Sequence, residues 1–369
     1  MQLICDGLDL SEAVLKVSKA MASKTTNPIL EGIKLVAEDD TLTLIATDME
    51  LSIEKKIKAE IKQEGETVVP GKFFSEFIKK LTNEKLELIL NDKEQLKIKY
   101  VDSESFIQCY DTTEFPDFKI IESEEYFGVG QKQFKSIINK SIFAVAVDNS
   151  RPILKGCLLE VNENTLTAVA LDGYRLALAR TPIANTNIKK NVIIPAKSLS
   201  EISKLLDDTS DVVNIYIENN YVMVDLGDTK VISRLLEGDF INYNQIISNE
   251  FATNIKVNKA QFEDALERAS LLSKIGQNNL VKFEIKESNL CVTSNSELGN
   301  VKENVSINLS GKDLLIAFNA RYFMECFRAI DDEFINIGFN SPSNPCIVTP
   351  IEEKAREGFL FLVLPVRMM

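Results

Sequence analysis

Basic side chains recur at matching places along this 369-residue chain, and they are its main candidates for functional residues. Three segments of similar sequence each carry two bases seven positions apart, with a glutamate between them. Seven residues make about two turns of an α-helix, so both bases of a segment lie on one helix face. Three other amphipathic segments carry a single base, six residues after their first apolar position. The paired bases are Lys72 and Lys79, Lys197 and Lys204, and Arg321 and Arg328; the single bases are Lys16, Lys140 and Arg268; the glutamates are Glu76, Glu201 and Glu325.

Ammonium and guanidinium groups gathered on one surface attract polyanions. The alternative is that these residues only solvate the outer faces of amphipathic helices. Glutamate or glutamine would solvate a helix equally well, so the return of a base in three diverged segments favours a functional basic surface. The formal charge of −13 and the pI near 4.8 mean that this surface is local and that the rest of the protein repels polyanions.

Few residues are available for catalysis, because the chain contains no histidine. Ser-His-Asp and Cys-His arrangements and the usual zinc and iron ligand sets are therefore excluded. Asp48 and Asp172 end apolar strands, where a carboxylate could act on a phosphorylated or sugar substrate. Ser296 occupies the third matching place, which favours a turn-stabilising role instead. We predict no catalytic residue, no cofactor and no metal site, and we interpret three acidic pairs as solvated turns: Asp39-Asp40, Asp207-Asp208 and Asp331-Asp332.

We predict no targeting signal, because the first residues lack a basic region followed by an apolar run. No stretch approaches the ~18 consecutive apolar residues of a membrane span. The six cysteines show no C-x-x-C spacing and are predicted to be reduced and buried. These features predict a cytoplasmic protein that does not contact a membrane.

The whole chain repeats itself with a long step: residues 28–32 return as residues 152–156, and 152 − 28 = 124. Residues 41–48 return as residues 165–172 in the same register, and a fainter third copy follows. A step of this length is a whole domain rather than one turn of a solenoid. The sequence therefore predicts three tandem domains, at residues 1–124, 125–252 and 253–369.

Each copy shows the same order of predicted elements. An opening strand precedes an amphipathic helix, strands follow, and a second helix leads into alternating strands. Glu218-Asn219-Asn220 joins two such strands and is a hairpin signal. We predict an α+β fold in which each copy packs two helices on one face of an antiparallel sheet. Open sheet edges invite aggregation, and head-to-tail pairing with a second chain would close a ring with the helices and their bases around the hole.

Four short strings carry a resemblance to a known family: residues 27–30 (NPIL), 47–48 (TD), 171–176 (LDGYRL) and 364–367 (LPVR). With the three long repeats, they resemble the bacterial DNA polymerase III sliding clamp, the beta subunit. The resemblance implies the DNA clamp fold as a closed six-domain ring of two chains, without enzymatic activity. Such a homodimer encircles double-stranded DNA independently of its sequence, is opened by an ATP-dependent clamp loader, and holds the replicative polymerase on its template.

The same resemblance implies specific sites. Lys24 and Arg151 precede matching prolines and would touch a tilted duplex, although loop solvation explains them as well. A hydrophobic groove between the second and third domains would take peptides with a glutamine-leucine-leucine-phenylalanine-like motif from polymerase, loader and other replication and repair proteins. The contact between the two chains of the dimer would join Leu271 and Leu272 of one chain to Phe106 and Ile107 of the other. The implied groove residues are Leu154, Leu171, Gly173, Tyr174, Arg175, Leu176, Pro342, Asn344, Leu362, Val363, Leu364, Pro365, Val366, Arg367 and Met368.

Two departures from the family affect the detailed shape of this groove. Ile241-Asn242 stands where proline-aspartate is common, and Met369 extends the usual end. The apolar run at residues 359–364 predicts a last strand that ends at a pocket rather than a frayed terminus. A monomeric three-domain scaffold that binds peptides without enclosing DNA remains open, and native mass with loading onto circular DNA would distinguish it.

Overall fold

The computed structural model describes residues 1–117, 120–148, 150–184, 186–248, 250–274, 279–351 and 358–367. These described residues form six α-helices, 25 strands and three antiparallel sheets. They pack as two compact units: residues 1–130, 204–207 and 211–235 form the first, and residues 131–203, 208–210 and 236–369 form the second.

The helices are α1 (Gly7–Val17), α2 (Gly71–Ile78), α3 (Gln131–Asn139), α4 (Ala196–Leu205), α5 (Lys259–Ser273) and α6 (Ala320–Arg328). The strands are β1 (Gln2–Asp6), β2 (Gly32–Glu38), β3 (Thr41–Thr47), β4 (Leu51–Lys58), β5 (Glu60–Gln63), β6 (Gly65–Pro70), β7 (Lys85–Leu90), β8 (Gln95–Tyr100), β9 (Ser103–Gln108), β10 (Tyr126–Gly130), β11 (Gly156–Asn162), β12 (Thr165–Leu171), β13 (Arg175–Pro182), β14 (Lys189–Pro195), β15 (Val212–Glu218), β16 (Tyr221–Asp225), β17 (Thr229–Arg234), β18 (Thr253–Asn258), β19 (Leu280–Lys286), β20 (Asn289–Ser296), β21 (Gly299–Gly311), β22 (Leu314–Asn319), β23 (Phe334–Phe339), β24 (Cys346–Pro350) and β25 (Gly358–Val363).

The first unit holds a five-stranded sheet in the order β5-β1-β7-β8-β9 and an eight-stranded sheet in the order β10-β15-β16-β17-β4-β3-β2-β6. In the larger sheet, β17 of the second copy pairs with β4 of the first, with Ile232 opposite Ser52. The second unit holds a twelve-stranded sheet in the order β14-β11-β12-β13-β25-β24-β23-β18-β21-β20-β19-β22. Here β25 of the third copy pairs with β13 of the second, with Leu362 opposite Leu176.

The last strand of a copy thus pairs with the fourth strand of the copy before it. The sequence predicts one antiparallel sheet per copy, but the strands of the first copy fall in two separate sheets, and one of these continues into the second copy. The hydrophobic pattern could not show this, because it reports which face of a strand is buried and not which edge is paired. Contact between copies is therefore made by backbone hydrogen bonds as well as by side chains.

The helices pack on these sheets through the apolar positions that the sequence identifies. Leu10, Phe134 and Phe262 begin the amphipathic stretches of α1, α3 and α5, and none of the three side chains is exposed to solvent. Around Phe262 the core is aromatic, with ring centroids 5.3 Å from Phe283 and 5.2 Å from Phe327 of α6. Edge-to-face pairs of this kind add about 0.5–1.5 kcal/mol each beyond area burial. The cluster fixes α5 and α6 against each other and turns their polar faces outward.

The predicted hairpin and cysteine environment are confirmed. Strands β15 and β16 meet at Asn219, whose φ of 49° is the left-handed conformation that a tight turn requires. All six cysteines are buried and free. Burial raises the pKa of Cys157 and of Cys326 to about 12, so these thiols stay protonated and serve as packing residues. Nowhere in the described ranges is a helix both long and apolar enough to cross a bilayer.

Candidate functional site

All six paired bases are exposed, on α2, α4 and α6 or directly after the helix. The start of α6 shows how one of them is positioned. Asn319 caps the helix by accepting the Arg321 N–H at 3.0 Å, which places Arg321 in the first turn. The Nε of Arg321 donates to Glu325 at 2.7 Å, one turn further on, while 62% of the Arg321 side chain stays exposed. A base held in this way can still reach an external anion.

The single bases differ from one another in exposure and in their ion-pair partners. Lys16 and Lys140 are half-buried, and Arg268 is exposed. Lys140 lies 3.6 Å from Asp331, and the Arg268 guanidinium lies 2.8 Å from Glu303. These two bases therefore have intramolecular counter-charges, which the sequence pattern could not reveal.

The two predicted loop bases flank short 3₁₀ turns. Lys24 and Arg151 are both exposed, and the turns that follow them span Pro28–Glu31 and Pro152–Lys155. Proline is suited to the first position of such a turn because its backbone is already bent and lacks an N–H that would be left unpaired. Each loop thus presents a base to solvent shortly before its turn, but the two bases are not at equivalent positions, since 151 − 24 = 127 and the repeat step is 124.

Four of the five leucines implied for the groove belong to one cluster in the second unit. Leu154, Leu171, Leu176 and Leu362 are each at most 4% exposed and pack together with Ile347. The β13–β25 pairing brings the leucines of those strands opposite each other. Leu154 and Leu362 are 208 positions apart in the sequence (362 − 154 = 208), so the fold and not local sequence brings these leucines together.

The rim of this cluster is a turn and the chain end. Gly173 has a φ of 91°, a left-handed conformation that glycine adopts at no steric cost, and Tyr174 beside it is 60% exposed. The Tyr174 carbonyl accepts the Leu364 N–H at 2.8 Å, and Val366 N–H donates to Ala317 at 2.8 Å. The predicted last strand is confirmed as β25, and backbone hydrogen bonds hold the residues that follow it.

The remaining implied groove residues lie around this rim. Pro342, Asn344 and Arg367 are exposed, Pro365 and Val366 are half-buried, and Val363 is buried within β25. The Ser341 hydroxyl lies 2.7 Å from the Asn344 side-chain oxygen, which orders that turn. Met368 lies outside the described residues.

The role of Tyr243, which follows the departure at Ile241-Asn242, could not be predicted from the sequence. Tyr243 is only 6% exposed, packs in the leucine cluster and donates its hydroxyl to Glu160. Burial beside that carboxylate raises the pKa of the Tyr243 hydroxyl above its ordinary value. The segment that departs from the family pattern thus supplies part of the apolar support for the candidate groove.

Arg175 lies beneath the rim rather than on it, since it is only 4% exposed. Its Nε donates to Asp172 at 3.1 Å, one terminal nitrogen donates to the Phe143 carbonyl at 2.7 Å, and the other pairs with Glu325 of α6. The guanidinium carbon lies 4.9 Å from the centre of the Tyr322 ring. Arg175 therefore joins the rim turn to α6 within the second unit.

The carboxylate of Glu325 is shared between two arginines. Partial burial raises the pKa of Glu325, but hydrogen bonds from Arg321 and Arg175 outweigh it and leave the pKa below its ordinary value. Glu325 stays ionised at neutral pH as a result. The sequence singled out Glu325 only as a recurring charge, and no local signal could have linked it to Arg175, 150 positions away.

The two aspartates weighed as catalytic groups are turn residues, as predicted. Asp48 accepts the Leu51 N–H at 2.8 Å, and Asp172 accepts the Tyr174 N–H at 2.9 Å. At the third matching place, the Ser296 hydroxyl accepts the Leu298 N–H at 3.2 Å. Within the described residues, no group of three or more acidic or cysteine side chains is placed to hold a metal ion.

The residues implied for the dimer contact differ in exposure. Phe106 is 53% exposed and Ile107 is 4% exposed on β9, an edge strand of the five-stranded sheet. Leu271 is 64% exposed near the end of α5, and Leu272 is half-buried. Phe106 and Leu271 are therefore the side chains free to contact another chain, whereas Ile107 belongs to the core of its own unit.

Replacing Arg175 by methionine should destabilise the protein by about 3 kcal/mol, because the partly buried Glu325 carboxylate is left with Arg321 as its partner. Urea unfolding at pH 7 measures this decrease. Arg180→Met is the matched control, since Arg180 is exposed on the same strand, and it should change the free energy of unfolding by about 0.5 kcal/mol or less. Equal effects of the two variants would show that the Arg175 network contributes little.

The chain is similar to known proteins along its whole length. Three domains of the DNA polymerase III beta subunit family match the chain: the N-terminal domain at residues 1–119, the central domain at 128–242 and the C-terminal domain at 244–367. The beta sliding clamp of Halalkalibacterium halodurans is 34% identical, with 100% of both chains covered. Crystal structures of the sliding clamp of Bacillus subtilis and the beta subunit of Streptococcus pyogenes have TM-scores of 0.96 and 0.95 at 32% and 30% identity, again covering 100% of each chain. The resemblance seen in the sequence is confirmed: this chain belongs to the DNA polymerase III beta subunit family, the bacterial sliding clamps.

Proposed function

We propose that this protein is a DNA polymerase processivity factor. Two chains join head to tail as a ring around duplex DNA, and a groove on each chain tethers the replicative polymerase. The observation that carries the proposal is the match of three clamp domains along the whole chain. A clamp loader that uses ATP opens the ring, and the clamp itself catalyses no reaction.

Sliding requires contacts that look alike at every position on DNA. Phosphates meet this requirement and base edges do not. The exposed paired bases on α2, α4 and α6 suit phosphate contact, and the loop bases Lys24 and Arg151 would add to it. The net charge of −13 keeps DNA from binding elsewhere.

A closed ring can come off DNA only by sliding over a DNA end. Retention of the protein on nicked circular DNA should therefore disappear when the circle is linearised. Equal retention on both forms would favour the monomeric scaffold instead.

The groove suits short peptides that bind through apolar side chains. The leucine cluster supplies a buried floor, and Tyr174 and Leu364 supply partly exposed apolar surface at its rim. A peptide that inserts leucine and phenylalanine side chains would gain most of its affinity from a few buried anchors. Polymerase, loader and repair proteins could then share one groove in turn.

Changing Lys72, Lys197 and Arg321 together to glutamate should weaken DNA binding and leave the fold intact, because all three are exposed. The logarithm of the binding constant should depend less steeply on the logarithm of the salt concentration, by about 0.9 for each phosphate that the variant no longer neutralises. The same charge change at Lys58, Lys189 and Lys312, which are exposed outside the helices, is the control. Equal salt slopes in both triple variants would contradict the assignment of the paired bases.

Removing residues 364–369 should abolish most peptide binding while dimers still form. The deletion removes Leu364 and the backbone hydrogen bonds that reach Tyr174 and Ala317. Truncating an anchoring apolar residue typically costs about 2 kcal/mol or more. Fluorescence polarisation with a labelled peptide measures the affinity, and deletion of Met369 alone is the control. Unchanged affinity on a dimer confirmed by native mass spectrometry would exclude this groove.

Changing Leu271 and Leu272 to aspartate should give folded monomers, because the change inserts charge into an apolar contact with Phe106 of a second chain. Sedimentation equilibrium measures the mass. Leu298→Asp is the control, since Leu298 is 74% exposed at a hairpin turn. A dimer that persists in the double variant would place the interface elsewhere.

A further inference from the structure

One carboxylate lies between the two sites proposed above. Glu325 accepts hydrogen bonds from Arg175, which is buried under the groove rim, and from Arg321, which is exposed on α6. We propose that Glu325 is a positioning residue shared by the peptide groove and the DNA-contacting face of α6, so that contact of DNA with Arg321 tightens peptide binding. The proposal rests on the proposed function and adds a coupling between its two sites.

The groove side of this arrangement is a turn built on Arg175. Asp172 accepts the backbone N–H groups of Tyr174 and Arg175 and also holds the guanidinium. Tyr174 stacks on Tyr322 of α6, with ring centroids 6.0 Å apart, and its carbonyl binds the Leu364 N–H. Any weakening of the hold on Arg175 therefore loosens the Tyr174 ring and the chain end that form the rim.

The DNA side is a cleft of about 330 Å³ between α5 and α6. Arg321, Arg328 and Lys274 line it, and Glu325 is the acidic residue among the described lining residues. A phosphate that enters this cleft offers Arg321 a more highly charged acceptor than a single carboxylate oxygen. Arg321 then turns away from Glu325, and the carboxylate is left to Arg175 alone.

An unshared carboxylate holds its one remaining cation more firmly. Arg175 is buried, where ion pairs are weakly screened by water and salt. The rim turn is therefore held more rigidly when DNA occupies Arg321, and a peptide loses less freedom in binding to it. By reciprocity, a bound peptide strengthens DNA contact by the same factor.

The test measures the affinity of a labelled glutamine-leucine-leucine-phenylalanine peptide for the dimer, by fluorescence polarisation, with and without a saturating short duplex of mixed sequence. The intact protein should bind the peptide about fivefold more tightly when the duplex is present, at the low end of measured couplings. Glu325→Gln should bring the ratio of the two affinities to one. Glu267→Gln, an exposed glutamate on α5, is the control and should keep the ratio of the intact protein.

A second variant separates coupling from a purely structural role. Arg321→Met leaves Arg175 and Glu325 in place but removes the second donor to the carboxylate, so the peptide should bind without DNA as tightly as the intact protein binds it with DNA. A structural role for Glu325 predicts no such gain. A ratio of one in the intact protein, or weaker peptide binding with duplex, overturns the coupling. Failure of the intact dimer to bind either peptide or duplex would instead overturn the proposed function.

Discussion

The candidate groove depends on the backbone pairing of β13 with β25. Ladder hydrogen bonds between these strands fix Leu176 opposite Leu362 and Arg175 opposite Val363. Because side chains alternate between the two faces of a strand, a shift of one residue would turn the leucines away from the cluster and the arginine into it. The floor of the groove, its rim and the Arg175–Glu325 ion pair are therefore set by one register.

A comparable pairing, β4 with β17, occurs in the first unit and yields a different local chemistry. The Glu50 carbonyl accepts the Arg234 N–H at 2.9 Å, as the Tyr174 carbonyl accepts the Leu364 N–H at 2.8 Å, and 174 − 50 = 124. Leu51, which is 1% exposed, occupies the place of Arg175, so an uncharged side chain is buried there instead of a guanidinium. A buried cation at this pairing is Lys55, which binds Asp228. The same backbone pairing thus occurs in both units, but only the β13–β25 pairing carries the glycine-tyrosine-arginine turn that forms the rim.

Much of this architecture could be predicted from the sequence, because repetition and periodicity are local properties of a chain. The repeat indicated the order of strands and helices, and Leu10, Phe134 and Phe262 marked buried helix faces correctly. What could not be predicted is which distant groups meet. The contacts of Arg175 with Glu325 and of Tyr243 with Glu160 join residues 150 and 83 positions apart, and neither pair belongs to a repeated spacing.

Recurrence alone also did not assign a role to each recurring charge. Glu76, Glu201 and Glu325 stand at one repeated helix position, yet Glu76 is exposed while Glu325 is partly buried and bound to two arginines. A carboxylate one turn after a base is placed to stabilise its own helix, and Arg321 and Glu325 form such a pair in the third copy. In the third copy the same carboxylate also meets a strand from the second copy, and there it acquires a long-range partner. A repeated residue therefore reports a shared local requirement, and its function follows from what the neighbouring copy places against it.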